Sequence, residues 1–186
     1  MRIRTVFLSA VTLVLTGCQF TPTSQPVELY LNEHTLQELC DYPRQFFANR
    51  YHVSDLTAKP AQSKSMNSQI DAFAGCFYEK SATEGGKQLG HVLLHQENNE
   101  TKSIPDNSRV QRLTVDGVTV IEIVEPLGDL QDPNTARPAY TLQASIDGWR
   151  GELRFTAGDE QGAQAGAPIL VGMIRTLKGP RIPSAS

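Results

Sequence analysis

Residues 110–124 read VQRLTVDGVTVIEIV and carry the strongest fold signal in the chain. Two runs rich in β-branched residues flank the pair Asp116-Gly117. A two-residue hairpin turn favours Asp-Gly because both of its central positions need positive φ. The stretch therefore predicts an antiparallel hairpin with strands at 110–115 and 118–124.

Residues 139–156, AYTLQASIDGWRGELRFT, predict a second hairpin around Asp147-Gly148. The alternation of apolar and polar residues in this stretch indicates strands with one buried and one solvated face. The predicted inward positions are Tyr140, Leu142, Ala144, Ile146, Trp149, Leu153 and Phe155, and the outward ones are Thr141, Gln143, Ser145, Arg150, Glu152 and Arg154.

Apolar residues at helical spacing predict a helix over residues 33–50, capped by Asn32. Pro43 lacks a main-chain donor and clashes with the preceding turn, so this helix should be kinked or split near Asp41 and Tyr42. Residues 54–69 are polar and are predicted to be irregular.

A final helix is predicted from an apolar stripe that begins at Pro168 and ends at Leu177. Proline is favoured in the first turn of a helix, and Gly179-Pro180 would stop it. With further strands at 72–78 and 88–96, the chain has about six strands and a helix at each end. This order predicts an α+β fold, an antiparallel sheet with both helices packed on one face, as a single domain over 33–178.

The N-terminus has the order of a secretory signal, with Arg2 and Arg4 ahead of an apolar run over 6–15. The run is too short for a membrane-spanning helix, which needs about 20 apolar residues. Leu15-Thr16-Gly17-Cys18 resembles the bacterial lipobox, whose cysteine thiol accepts a diacylglycerol. Residues 1–17 are therefore predicted to be a lipoprotein signal peptide and Cys18 the lipidation site.

Two or three palmitate-type acyl chains on Cys18 would anchor the protein persistently, whereas a single chain binds a bilayer only marginally. The polar, proline-bearing stretch 18–32 is predicted to be a tether, and 179–186 a disordered tail. The expected location is the extracytoplasmic face of the cell membrane.

Cys40 and Cys76 remain as an even pair in an oxidising compartment, where a disulfide bond is the default. Two free buried thiols and a redox-active pair are the alternatives, although thioredoxin-like chemistry usually uses Cys-x-x-Cys. On the predicted fold, the bond would join the first helix to the first strand.

Composition and motifs exclude several classes of function. The net charge of -3 lacks the basic footprint of a nucleic-acid-binding protein. The sequence contains no Gly-x-Ser-x-Gly elbow, P-loop or dinucleotide fingerprint, so no catalytic residue or cofactor is predicted.

Several side chains are candidates for a functional site. His91 and His95 could suggest zinc on a helix, but in a strand they lie about 13 Å apart, so no metal site is predicted. Acidic residues that cluster near the loop after the second strand of the first hairpin match no calcium loop and are interpreted as a solvated acidic loop. These acidic residues are Glu122, Glu125, Asp129 and Asp132, and the aromatic residues interpreted as packing are Tyr30, Tyr51, Tyr78 and Trp149.

The lipobox, the cysteine on a first helix, Cys76-Phe77, the Asp116-Gly117 turn and the final amphipathic helix together resemble an actinobacterial lipoprotein family of unknown function. Mycobacteria and corynebacteria carry many such proteins, and the similarity covers residues 33–178. The resemblance implies an α+β domain in the cell envelope without established enzymatic activity, and it supplies no catalytic residues. The second cysteine pair of some members is absent here.

We therefore expect a non-enzymatic envelope module that binds a protein, glycan or lipid partner at the membrane surface. A carrier of lipids or small apolar ligands, with a pocket between sheet and helices, is the alternative. A divergent hydrolase is a third hypothesis.

Overall fold

A computed structural model describes residues 32–81, 87–97, 104, 106–125, 138–156 and 159–180. The described residues form seven strands and three helices. The helices are α1 (Leu36–Asp41), α2 (Arg44–Tyr51) and α3 (Glu160–Leu177). The strands are β1 (Leu56–Pro60), β2 (Phe73–Lys80), β3 (Gln88–Gln96), β4 (Arg109–Val115), β5 (Val118–Glu125), β6 (Ala139–Ile146) and β7 (Trp149–Phe155).

The strands form one antiparallel sheet in the order β1-β2-β3-β7-β6-β5-β4. The predicted hairpins are β4–β5 and β6–β7, and both turns have positive φ at both central residues: 48° and 78° at Asp116-Gly117, and 52° and 79° at Asp147-Gly148. The non-local pairing of β3 with β7 joins the two halves of the sheet. The α+β class and both hairpins are confirmed.

The three helices pack on one face of the sheet, hereafter the covered face. Phe46 and Phe47 of α2 contact this face, with ring centroids 5.4 Å from Phe155 and 4.1 Å from Tyr78. The helix α3 approaches β7 so closely that a Cβ at Gly151 would lie 2.6 Å from Ile174 Cγ1. The opposite face, the open face, carries no helix among the described elements.

The first predicted helix is indeed split, because α1 ends at Asp41 and α2 begins at Arg44, on either side of Tyr42-Pro43. The cap is Thr35 rather than Asn32, since Thr35 Oγ1 accepts from the Glu38 main-chain N–H at 3.3 Å. Asn32 instead donates from Nδ2 to the Leu177 carbonyl at 2.8 Å. It therefore belongs to the folded domain and not to the predicted tether.

Two other predictions were wrong. The strand β1 lies within the supposedly irregular stretch 54–69, where its main chain pairs with β2 at the sheet edge and buries Leu56. The helix α3 begins eight residues before Pro168, so that proline lies inside the helix and not in its first turn. Small residues make this longer helix possible, because Gly166 and Ala167 let it lie close to the sheet.

Cys40 and Cys76 form a disulfide bond with a Cα–Cα distance of 5.5 Å. Both residues are fully buried. The bond joins α1 to the covered face at β2, which is the second strand along the chain and not the first. It closes a sequence separation of 36 residues, and in the chain-entropy model such a link stabilises a fold by about 3–4 kcal/mol.

Candidate functional site

A cleft opens on the sheet between the β4–β5 and β6–β7 hairpins. The ladder between β5 and β6 ends at the pair Val120–Ala144, although each strand continues for two more residues. Within the described chain, the pair Thr119–Ser145 that would extend this ladder is not formed. The resulting cavity has a volume of about 490 Å³, within the range of about 300–1,000 Å³ common for small-ligand pockets.

The cleft has polar side chains from the open face beside apolar walls. Its lining residues are Gly117, Val118, Thr119, Ile121, Gln143, Ala144, Ser145, Ile146, Asp147 and Arg150. Thr119 and Ser145 are exposed, whereas Ile121, Gln143 and Arg150 are half-buried. A ligand would therefore meet hydrogen-bonding groups and apolar surface together.

Gln143 is held in place by a polar network on the open face. Its Nε2 donates to Glu152 Oε2 at 3.0 Å, and Glu152 Oε1 lies 3.0 Å from His91 Nε2. The ring of His91 meets Phe77 edge-on, with centroids 5.7 Å apart. Because Gln143 uses its amide nitrogen for Glu152, its amide oxygen is the group available to accept a hydrogen bond.

The charged side chains of the cleft have nearby partners of opposite charge. Arg150 Nε lies 3.9 Å from Glu97 Oε1, and the same oxygen accepts from Ser145 Oγ at 2.5 Å. Lys178, the residue that follows α3, pairs with Asp147 in the neighbouring turn. The cleft is consequently close to neutral.

Arg175 in α3 and Lys178 just after it contact both hairpin turns from the covered side. Arg175 donates to the Asp116 carbonyl at 2.9 Å and to its carboxylate at 3.2 Å. Together with the Lys178–Asp147 pair, this contact fixes the two turns that border the cleft. Both turns that border the cleft thus contact the C-terminal end of α3.

The predicted acidic loop is corrected by the structure. Glu122 and Glu125 lie in β5 and are not in a solvated loop. The Glu125 carboxylate accepts hydrogen bonds from both terminal nitrogens of Arg154, at 3.0 and 3.1 Å. Asp129 and Asp132 lie outside the described residues.

Glu122 points to the covered face and is only 2% exposed. Its Oε1 has no hydrogen-bond partner among the described residues. Burial raises the pKa of this carboxyl, although nearby Arg109 favours its charged form. A charged Glu122 is therefore costly to the fold.

His91 and His95 both lie on β3, as predicted. His91 contacts Glu152, whereas His95 Nδ1 lies 3.1 Å from the Gln96 carbonyl oxygen, so the two rings have different partners. In the described ranges, no group of three His, Cys, Asp or Glu side chains is arranged to hold a metal ion.

The aromatic packing predicted for Tyr51, Tyr78 and Trp149 is confirmed, since Tyr51 is half-buried and the other two are buried. Tyr30 lies outside the described residues, and so do the predicted lipidation site Cys18, the predicted signal peptide over 1–17 and the predicted tail over 181–186. No described helix is both long enough and apolar enough to span a bilayer.

Thr119, Gln143, Ser145 and Arg150 were not identified as a site from the sequence. Alternation placed the last three on a solvated face but gave no sign that the β5–β6 ladder opens beside them. Glu152 and Thr141 share that face, yet they are only 4% and 3% exposed, so the predicted division into a buried and a wet face is too simple.

No protein-family model, curated protein or solved structure matches this chain. Any functional proposal therefore depends on the geometry of the cleft and on the N-terminal sequence.

Proposed function

We propose that this protein is a lipid-anchored binding module on the extracytoplasmic face of the cell membrane, and that it binds a partner in the cleft between its two hairpins. The observation that carries the binding role is the open β5–β6 ladder beside a cavity of about 490 Å³. Preformed concave surfaces with a few fixed polar groups are typical of ligand sites.

The anchor is inferred from Arg2, Arg4, the short apolar run and the lipobox that ends at Cys18. The disulfide bond between Cys40 and Cys76 supports an oxidising location. The resemblance to actinobacterial lipoproteins agrees with this proposal and stays a prediction.

The position of Asn32 relates the anchor to the cleft. Asn32 contacts the Leu177 carbonyl at the end of α3, and the next residue, Lys178, pairs with Asp147 in the cleft. Residues 19–31 can span at most about 45 Å when fully extended. A lipidated Cys18 would thus keep the cleft near the membrane surface.

The carrier hypothesis gains no support from the space between sheet and helices. Large side chains fill that layer, including Phe46, Phe47, Leu142, Leu153 and Leu170. The hydrolase hypothesis needs a nucleophile that is activated by a base. Ser145 Oγ donates to the Glu97 carboxylate at the cleft rim, but Arg150 also lies beside that carboxylate, and His91 contacts Glu152. Among the described residues, the cleft therefore has no serine–histidine pair. The binding role is therefore preferred.

The anchor is tested by growing an expressing bacterial host with an alkyne-bearing palmitate analogue. We expect label on the full chain, and none on Cys18→Ala, because the thiol is the acyl acceptor. Cys76→Ser is the matched control and should keep the label. Equal labelling of Cys18→Ala and wild type, or an unlabelled wild type, would refute the anchor.

The binding role is tested with the full chain purified in detergent. It is offered phage-displayed random heptapeptides and an array of bacterial envelope oligosaccharides. We expect a bound class that is lost in Gln143→Ala, since Gln143 lines the cleft. Gln88→Ala, an exposed glutamine on β3, should bind normally. Equal binding by Gln143→Ala and wild type, or no binding by wild type, would contradict the proposed role of the cleft.

A further inference from the structure

We propose that the cleft binds a short extended polypeptide segment through that segment's main chain. This inference rests on the proposed binding function and names the class of ligand. Its basis is the direction of main-chain groups where the β5–β6 ladder opens, together with the neutral walls of the cleft.

The hairpin geometry sets the direction of the main chain at Thr119. In a two-residue hairpin, the flanking residues Val115 and Val118 exchange the closing hydrogen bonds. Because these directions alternate along a strand, Thr119 points its main-chain N–H and C=O away from β4 and towards β6. In the second hairpin, Ile146 and Trp149 flank the turn, so Ser145 points its groups towards β5.

Thr119 and Ser145 would exchange two hydrogen bonds if the ladder continued, but the described chain does not form this pair, and the neighbouring Val120–Ala144 pair accounts for no more than one of the two bonds. Nor does either residue make another main-chain hydrogen bond to a described residue outside the ladders. Among the described residues, at least one N–H and one C=O at the mouth of the cleft therefore have no main-chain partner. Peptide segments that add to open strand edges use both kinds of group.

The charges of the cleft favour a neutral ligand. Arg150 has Glu97 beside it and Asp147 pairs with Lys178, so an anionic headgroup or phosphate would find no uncompensated cation among them. A peptide main chain is neutral and supplies donors and acceptors at strand spacing. Its alternate side chains would contact the apolar walls at Val118, Ile121 and Ile146.

The inference is tested with a heptapeptide selected from the phage library on the detergent-purified full chain. Thr119→Pro removes the main-chain N–H that points into the cleft and leaves the β4–β5 ladder bonds in place. Thr114→Pro is the matched control, because Thr114 is the exposed cross-strand partner of Thr119 and its N–H points to the outer edge of β4. Thr119→Val retains the N–H and controls for the side chain.

We expect Thr119→Pro to weaken peptide binding about tenfold, the effect of losing roughly one main-chain hydrogen bond. Thr114→Pro should bind within about twofold of wild type, Thr119→Val should bind more tightly than Thr119→Pro, and equal melting temperatures would establish that all variants fold. N-methylation of single peptide amides should reproduce the loss at one or two positions.

Equal binding by Thr119→Pro and Thr114→Pro would overturn the main-chain inference. Cleft-dependent binding of an oligosaccharide but of no peptide would also overturn it, while the proposed binding function would stand. No binding of either probe class would refute both.

Discussion

Each face of the sheet buries one glutamate, and the two faces surround it differently. On the open face, Glu152 has Gln143 at one carboxylate oxygen and His91 at the other. On the covered face, Glu122 has an oxygen without a hydrogen-bond partner among the described residues, and burial raises its pKa. The open face thus shields a carboxylate with polar partners, whereas the covered face favours the protonated acid.

The difference shows that the absence of a helix does not make a face solvated. Glu152 is 4% exposed, and neighbouring strands place His91 and Gln143 against its two carboxyl oxygens. The covered face is instead stabilised by apolar packing and by the Cys40–Cys76 bond. Three measurements test this contrast.

Removing the disulfide bond should have the largest effect. We expect the double variant Cys40→Ala/Cys76→Ala to lose about 3–4 kcal/mol of unfolding free energy, because the unfolded chain regains the freedom of the closed loop. Urea unfolding in oxidising buffer measures this loss. Wild type in reducing buffer is the control and should approach the variant, which should itself be insensitive to reductant. A variant as stable as oxidised wild type would show that packing alone holds the covered face.

Glu152→Ala should cost about 2–3 kcal/mol, because it leaves Gln143 and His91 without their charged partner in a shielded position. Thermal or urea unfolding measures the loss. Glu79→Ala breaks only the Lys59–Glu79 surface pair and should cost less than about 1 kcal/mol. Similar losses of unfolding free energy in both variants would mean that Glu152 contributes no more to stability than an ordinary surface residue.

Glu122→Gln should have the smallest effect, a gain in stability at neutral pH of the order of 1 kcal/mol. The pKa of Glu122 is raised in the folded state above the ordinary 4.5. Between pH 4.5 and the raised pKa, this carboxyl is therefore more protonated in the native protein than in the unfolded chain. The contribution of Glu122 to wild-type stability therefore falls as the pH rises from 4.5 through the raised pKa.

The gain of Glu122→Gln over wild type should accordingly be greater at pH 7 than at pH 4.5, as measured by urea unfolding. Glu125→Gln, on the same strand, weakens the ion pair with Arg154 and should not increase the free energy of unfolding. A gain from Glu122→Gln that is independent of pH would contradict the proton linkage.

The most reliable predictions from the sequence were those that depend on neighbouring residues. The two Asp-Gly turns, the alternation of β6 and β7 and the break at Pro43 were each found from short stretches, because local sterics decide them. The missed elements lack such signals. The strand β1 is polar and is held by its ladder with β2, and the first half of α3 is a run of small residues that becomes helical against the sheet.

The candidate site was largely beyond sequence reasoning. Gln143, Ser145 and Arg150 could be assigned to one face of two strands, but their pattern is the same as that of any solvated strand face. The cleft lies where the β5–β6 ladder ends at Val120 and Ala144, beside two hairpin turns that contact Arg175 and Lys178, and the sequence pattern records neither feature.

The hairpins, the α+β class and the expectation of a disulfide bond follow from the amino-acid sequence, since turn preferences, period-two alternation and cysteine count act over short range or by composition. The pairing of β3 with β7, the burial of Glu122 and Glu152, and the end of the β5–β6 ladder at Val120 and Ala144 emerge only in the folded chain. Those features depend on contacts between distant segments, whose energies no local pattern records.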